Sequence, residues 1–371
     1  MEYLGKKFKI MHITDTQDTQ FTSPDTINFI TAALDAEKPD LVVFSGDTVK
    51  GYGITLKAGS EAANAAKTIR NTLEPLAQRG VPFTFTFGNH DRTEKSTGEM
   101  QTAVYESFDS CVNGEMLSRL NGTDCMCLPV YTAEKKIAFA LYLIDNCGRI
   151  DGKYNGVTDE QKEWMEKTSE LLKEKNGGSE VPITVFQHIP VYELYDALDE
   201  VEKNTPGALE GNRTHRGRYY ALTASMRVRG EKMGENVAST SQNGEFETWR
   251  DKTSVKAAFF GHDHINSFTG TVDGIFMGYT PGAGFNVYGQ GLQRAVRIFE
   301  YDEQGSFETR LLTYGELCGK KVRDPLKLFL YNYAPTSVDD AKIKAKKAAP
   351  YLAGAVGTAA LFTLLGKIKN K

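Results

Sequence analysis

Five short polar clusters, each closing a run of strand-like residues, constrain this chain more than any other feature. Phe8 to Thr14 runs into Asp15-Thr16-Gln17, and Leu41 to Ser45 into Gly46-Asp47. Val81 to Phe87 precedes Gly88-Asn89-His90-Asp91, Val181 to Phe186 precedes Gln187-His188, and Val255 to Phe260 precedes Gly261-His262-Asp263-His264. The first, third and fifth runs are rich in β-branched or aromatic residues, as strands are. Helical patterns at 25–37, 59–79 and 158–175 lie between them. Ser23 or Asp25 is available to cap the first helix, Gly80 and Pro82 end the second, and Thr158 with Gln161 reads as a capping box on the third. This alternation predicts an α/β fold. Residues 268–279, 294–301 and 306–314 read as sequential strands of a second, partly antiparallel sheet. Residues 193–250 are polar and irregular, and a loop of that length is usually functional or disordered.

In an open α/β sheet the C-terminal strand ends share one edge, where ligands bind. Sequence separations of tens of residues then collapse into one site holding Asp15, Gln17, Asp47, Asn89, His90, His188, His262 and His264. Carboxylate, imidazole and amide oxygen without thiolate suit Mn, Fe or Zn. The set is too rich for one ion, and an aspartate can bridge two held roughly 3.5–4 Å apart, as phosphoryl-displacing centres hold them. Each cluster alone has a plainer reading. Asp-x-Gln and Gly-Asp after a strand are more often turns or caps, and a lone histidine such as His188 is more often a satisfied core or loop residue. Gly-His-Asp-His stands evenly between a metal site and a turn. Five such clusters in order, each after a strand, are what coincidence does not supply.

Composition excludes several classes. The 371 residues carry 25% charged side chains and a net charge of −4, against wholesale disorder and against a chain that mainly coats nucleic acid. Five cysteines without paired CxxC spacing fit neither a disulfide scaffold nor a zinc finger, and Cys125-Met-Cys127 reads as buried thiol. No secretory pattern opens the sequence, so a cytoplasmic protein with reduced thiols is expected. The charge is uneven. Residues 342–371 hold seven lysines and no acid, leaving 37 basic and 48 acidic groups before them. Residues 348–366 are uncharged and, as a helix, would span roughly 28 Å, close to a bilayer core. Tail anchor, interfacial helix and packing on the body are the three readings of this stretch. The expected organisation is a catalytic domain at 1–315, a linker at 316–347 and a lysine-flanked apolar tail at 348–371, attaching the protein to the cytosolic face of a membrane.

The five clusters together resemble the motif blocks of the calcineurin-like metallophosphoesterases, over residues 7–315. Gln187-His188-Ile189-Pro190, the run from Val255 to His264 and the Gly-rich stretch from Tyr279 to Gly291 are similar to a subgroup related to the purple acid phosphatases. The resemblance implies a four-layer αββα sandwich of two mixed sheets, with a C-terminal helical tail here. It implies two divalent or trivalent ions. Asp15 and His264 would hold the first, Asp47 would bridge, and Asn89, His188 and His262 would hold the second. A metal-bridging hydroxide would hydrolyse a phosphate ester, phosphomonoesters being favoured, with His90 assisting the leaving group and Asp91 orienting His90. A phosphodiesterase acting on nucleotides or lipid headgroups, and a non-catalytic phospho-ligand scaffold of the same fold, are the alternatives. Two positions depart from the pattern. Gln17 stands where the family often has histidine, and Lys50 where purple enzymes have their tyrosine, with Tyr52 two residues on. A colourless protein is therefore expected. Arg213, His215 and Arg216, with Arg218, form a basic cluster proposed for substrate phosphate, against the plainer reading of a solvated loop. Asn243-Gly244 and Asn286 are candidate pocket residues, and His12, in mid-strand, is expected to be structural.

Overall fold

The computed structural model describes residues 1, 7–147, 149–150 and 153–333. Two mixed sheets carry the architecture. In the five-stranded sheet, Phe8–Ile13, Leu41–Ser45 and Phe83–Thr86 run parallel, and Ala295–Tyr301 pairs antiparallel to Phe8–Ile13 with Phe307–Thr313 outside it. In the seven-stranded sheet, Ile275–Tyr279, Val255–Phe260, Ile183–Gln187 and Ile137–Ile144 run parallel. Thr269–Val272 closes one edge antiparallel, and Cys125–Tyr131 with Ser118–Leu120 closes the other.

The central strands are buried on both faces, which is why they read as continuous apolar runs rather than alternating ones. Along Ile137–Ile144 the two-residue period divides the side chains between two cores. Phe139, Leu141 and Leu143 meet Phe8, Ile10, Leu41, Val43, Phe299 and Tyr301 of the other sheet. Phe139 stacks on Tyr301 at 4.2 Å and meets Phe8 edge-on at 5.7 Å. Ala140, Tyr142 and Ile144 face outward onto Trp164, Met165 and Leu172 of the helix Asp159–Lys175 and onto Phe246 and Trp249 of Glu245–Lys252. On the five-stranded sheet, Met11, Val42 and Phe44 are equally buried, so that outer face is covered too. The crossover helices Pro24–Glu37 and Glu61–Ala77, which bury Phe29, Ile30, Leu34, Ile69 and Leu73, supply the cover. Each buried side chain of this size contributes about 1.5–3 kcal/mol, so the two cores fix the sandwich by themselves.

Three expectations are corrected. Residues 268–314 do not form one second sheet: Thr269–Val272 and Ile275–Tyr279 extend the seven-stranded sheet, whereas Ala295–Tyr301 and Phe307–Thr313 complete the five-stranded one. Residues 193–250 are not an irregular loop. They fold into a small sheet of Asp199–Val201, Tyr219–Ala221 and Leu209–Glu210, followed by the helices Ala224–Val228 and Glu245–Lys252. Polar short strands give little periodicity to read, so the segment looked structureless. The body also runs past residue 315. Tyr314 donates to Asp25 (3.0 Å) and the Arg323 amide donates to the same carboxylate (2.9 Å), so the first compact unit ends at Arg323.

The second unit, from Asp324, holds the helix Pro325–Tyr333. The tail expected at 348–371 lies outside the described residues, and no helix among the described residues is long and apolar enough to cross a membrane. Cys125 and Cys127 sit fully buried in the Cys125–Tyr131 strand, where burial pushes both thiols well up.

Candidate metal centre

The strand ends of both sheets converge, so two sheets rather than one edge supply the site. Asp15, Asp47, Asn89 and His90 follow strands of the five-stranded sheet; His188, His262 and His264 follow strands of the seven-stranded one. The turns are laced by backbone bonds: the Asp15 amide donates to Gly46 O (3.1 Å) and the Gln17 amide to Asp47 O (2.7 Å). Gly46 has φ +97°, and a Cβ there would lie 2.3 Å from the Gly88 nitrogen, so only glycine allows the second and third clusters to touch. Nine non-glycine residues among those described have positive φ, and four of them are Asp15, Gln17, Asp47 and His262. Such strain gathers where a site must hold side chains in one geometry.

Asp15, Asp47 and His188 bring ligand atoms within 4.8 Å of one another, all buried. His188 Nε2 lies 3.3 Å from Asp47 Oδ2 and 3.8 Å from Asp15 Oδ1, and His264 Nε2 lies 3.2 Å from Asp15 Oδ1. His188 meets His262 edge to face at 5.2 Å. The outer ring nitrogens are tied: His188 Nδ1 is 2.9 Å from Ser45 O, and His264 Nδ1 is 2.9 Å from Tyr288 O. A carbonyl only accepts, so each Nδ1 carries a proton and each Nε2 is turned inward, where it can take either a proton or a metal. Asp15 Oδ1, Asn89 Oδ1 and His188 Nε2 are buried with no aligned hydrogen-bond partner. Buried oxygens left unpaired, with an imidazole nitrogen turned toward two carboxylates, call for positive charge, so these residues fit the metal that the motifs imply.

The charges agree. Burial works to raise the Asp15 and Asp47 carboxyls, yet the neighbouring imidazoles hold both below the carboxylate range, His264 and His188 for Asp15 and His188 and His90 for Asp47. Burial alone would lower His188, but Asp47 and Asp15 push it up to about 10, a proton there doing the work of a cation. Burial, then His188, drives His262 down to about 3, and burial lowers His90. His90 sits beside Tyr52, ring centroids 4.6 Å apart.

Asp91 does not orient the His90 ring as expected. Its carboxylate accepts from the amides of Gly88 (2.6 Å), Asp47 (2.8 Å) and Val49 (2.8 Å), bracing the second and third clusters against each other. Chain neighbours diverge in a tight turn, so Asp91 points into the loop and His90 away from it. Gln17 lies against Asp47, donating from Nε2 to Oδ2 at 2.5 Å.

Of the basic cluster, only Arg213 approaches the centre. Its guanidinium lies 5.0 Å over Tyr154 and bonds the Tyr154 and Ser239 carbonyls, and Tyr154 meets His262 edge-on at 5.8 Å. His215 is corrected to a core residue: it is buried, stacked on Tyr195 at 3.9 Å and bonded to Tyr220 Oη at 2.6 Å. Arg216 is exposed, and Arg218 pairs with Glu200 (2.5 Å). Asn243 and Asn286 brace loops rather than line a pocket, Asn243 through Asn155 O and Val157 O and Asn286 through Asp18 and Phe21 O. His12 bridges Ser45 Oγ (2.6 Å) and Thr280 Oγ1 (2.7 Å) in the core.

Sequence reading missed the outer support. Tyr288 stacks on His264 at 4.2 Å and donates to Glu235 (2.9 Å). Tyr288 stood in the noted Gly-rich stretch, but Glu235 gave no signal within 193–250.

Fold and site together define an α/β sandwich carrying a buried carboxylate–imidazole cluster, a candidate metal centre, at its strand ends. The chain belongs to the calcineurin-like phosphoesterases, whose family model matches residues 8–266. It is similar to Probable inactive purple acid phosphatase 14 of Arabidopsis thaliana, 26% identical over 323 residues, covering 80% of this chain and 71% of that protein. It is similar to Phosphatase DCR2 of Saccharomyces cerevisiae, 25% identical over 303 residues, covering 75% of this chain and 46% of the yeast protein. A solved structure of GAP50, the anchor in the inner membrane complex of Plasmodium, superposes with a TM-score of 0.50 at 10% identity, covering 84% of this chain and 86% of that one; the likeness is one of fold.

Proposed function

We propose that this protein hydrolyses phosphate monoesters at a dinuclear metal centre. The observation that carries the reading is the pair of locked imidazoles, His188 and His264, whose Nε2 atoms face Asp47 and Asp15. Asp15 and His264 would hold one ion, Asn89, His188 and His262 the other, with Asp47 between them. Bound there, the metals supply a nucleophile at neutral pH and neutralise charge on the phosphoryl oxygens. His90 stands at the edge of the cluster, only part-buried, where it can give a proton or hydrogen bond to the departing oxygen. Arg213, held over Tyr154 beside His262, is the remaining candidate for a substrate phosphate.

The test is hydrolysis of p-nitrophenyl phosphate by the purified chain with added Mn. His90→Ala lowers kcat by about 10²–10⁴ with metal content unchanged, and Asn89→Ala lowers activity together with metal content. Activity that survives removal of all metal counts against the reading. A second reading is a non-catalytic phospho-ligand scaffold. It is favoured by the Gln17–Asp47 bond and by the word "inactive" in the name of the Arabidopsis relative. Fewer than one ion per chain after purification with Mn or Fe supports that scaffold instead.

The lysine-flanked apolar stretch at 348–366 supports attachment to an anionic membrane surface. Co-sedimentation of the full chain with phosphatidylserine vesicles, weakened by salt, is the expected result; equal recovery with neutral vesicles removes the electrostatic part.

A further inference from the structure

Both oxygens of the would-be bridging carboxylate are already engaged. Asp47 Oδ1 accepts from the His90 amide at 2.7 Å, and Asp47 Oδ2 accepts from Gln17 Nε2 at 2.5 Å. The other end of the Gln17 amide is fixed as well: Tyr52 Oη donates to Gln17 Oε1 at 3.1 Å. The orientation of the amide follows from chemistry. An ionised carboxylate offers only lone pairs, so the group 2.5 Å from it must be the NH₂ and not the carbonyl oxygen. Tyr52 is in turn set by its surroundings, with Lys50 Nζ 5.0 Å from its ring and bonded to Asn286 O (2.9 Å), and with the His90 ring at 4.6 Å.

We propose that Gln17 and Tyr52 form a latch on Asp47 Oδ2, the oxygen that faces His188 Nε2 at 3.3 Å, so that the metal shared by Asp47 and His188 binds last and weakly. In this arrangement Gln17 is a positioning residue that competes with that ion for Asp47 Oδ2, and Tyr52 holds it in the competing pose. The other ion keeps Asp15 Oδ1 and His264, 3.2 Å apart, on a carboxylate the amide does not bond. The centre therefore loads in two steps, and its completion tracks the free concentration of the metal. The proposal rests on the dinuclear reading above. It differs from a plain amide ligand in the sign it predicts: a ligand removed weakens the ion, whereas a latch removed tightens it.

The experiment is calorimetric titration of the chelator-stripped full-length chain with Mn(II), with the coupled two-Mn signal followed by electron paramagnetic resonance. Wild type is expected to show two sites whose Kd values differ by at least about tenfold, since displacing one charge-assisted hydrogen bond costs about that factor. Gln17→Ala and Tyr52→Phe each tighten the weaker site several-fold, and the coupled signal rises at lower Mn. The Tyr52→Phe change keeps the ring, so it reports the latch even if Gln17→Ala folds poorly. Two equal sites in wild type, or variants that weaken the site or leave it unchanged, overturn the latch but leave the metal centre standing. A stripped chain that takes up no Mn overturns the dinuclear reading, and the latch with it.

Discussion

His188 and His264 each give one ring nitrogen to a backbone carbonyl, and that turns the other toward Asp47 and Asp15. A second residue-scale feature lies away from the centre. Glu245, at the start of the helix Glu245–Lys252, is 1% exposed, and neither carboxylate oxygen has a hydrogen-bond partner of good geometry. Burial, reinforced by Glu193, pushes its carboxyl from 4.5 up to about 8. The folded state therefore keeps a proton that the unfolded chain gives up. Stability is fully present below about pH 4.5 and declines as pH rises towards 8. Glu245→Gln lacks this decline. Its melting temperature relative to wild type rises between pH 5 and pH 8, by roughly 3 °C or more. A difference that stays constant across that range refutes the account.

At the scale of elements, the centre depends on turns that touch. Gly46 and Gly88 meet without room for a Cβ, and Asp91 ties three amides from two turns. Asp91→Ala leaves those amides buried and unpaired, a loss of about 3 kcal/mol. The expected outcome is a melting temperature lower by several degrees and weaker Mn binding, measured by thermal unfolding and calorimetry. Unchanged Mn affinity in a folded variant would show that the brace does not position Asp47. The small sheet at 199–221 has a comparable supporting role, since Arg213 leaves it to reach Tyr154 beside His262.

At the scale of the molecule, two sheets are held together by a core and also meet at a buried charged cluster. Asp15 and Asp47 from one sheet face His188 and His264 from the other. An ion bound there ties the sheets and binds only the folded chain. Free energy of binding thus adds to that of folding, by about 2.7 kcal/mol at a hundredfold excess over Kd. Stripping metal with a chelator is expected to lower the melting temperature by several degrees, and added Mn restores it. Insensitivity to chelator in protein shown to contain metal would contradict this coupling.

Much of the centre was legible in the chain because each part is local. A strand ending in Gly-Asn-His-Asp or Gly-His-Asp-His carries its candidate ligands with it, whatever the rest of the fold does. The same locality made the helices and their caps readable, as with Thr158 and Gln161, which form the capping box their spacing predicts. What the chain could not display was partnership across distance. The strands after residue 268 divide between two sheets because pairing is chosen by packing, not by order. Asp91 serves amides rather than His90 because the turn points it inward. His215, inside a basic cluster by sequence, is buried among Tyr192, Tyr195 and Tyr220 by the fold. Residue type and order determined which atoms could hold a metal. Only the tertiary structure decided that two sheets present them, and that Gln17 and Tyr52 stand on Asp47, because contacts between distant residues follow from how buried surfaces fit.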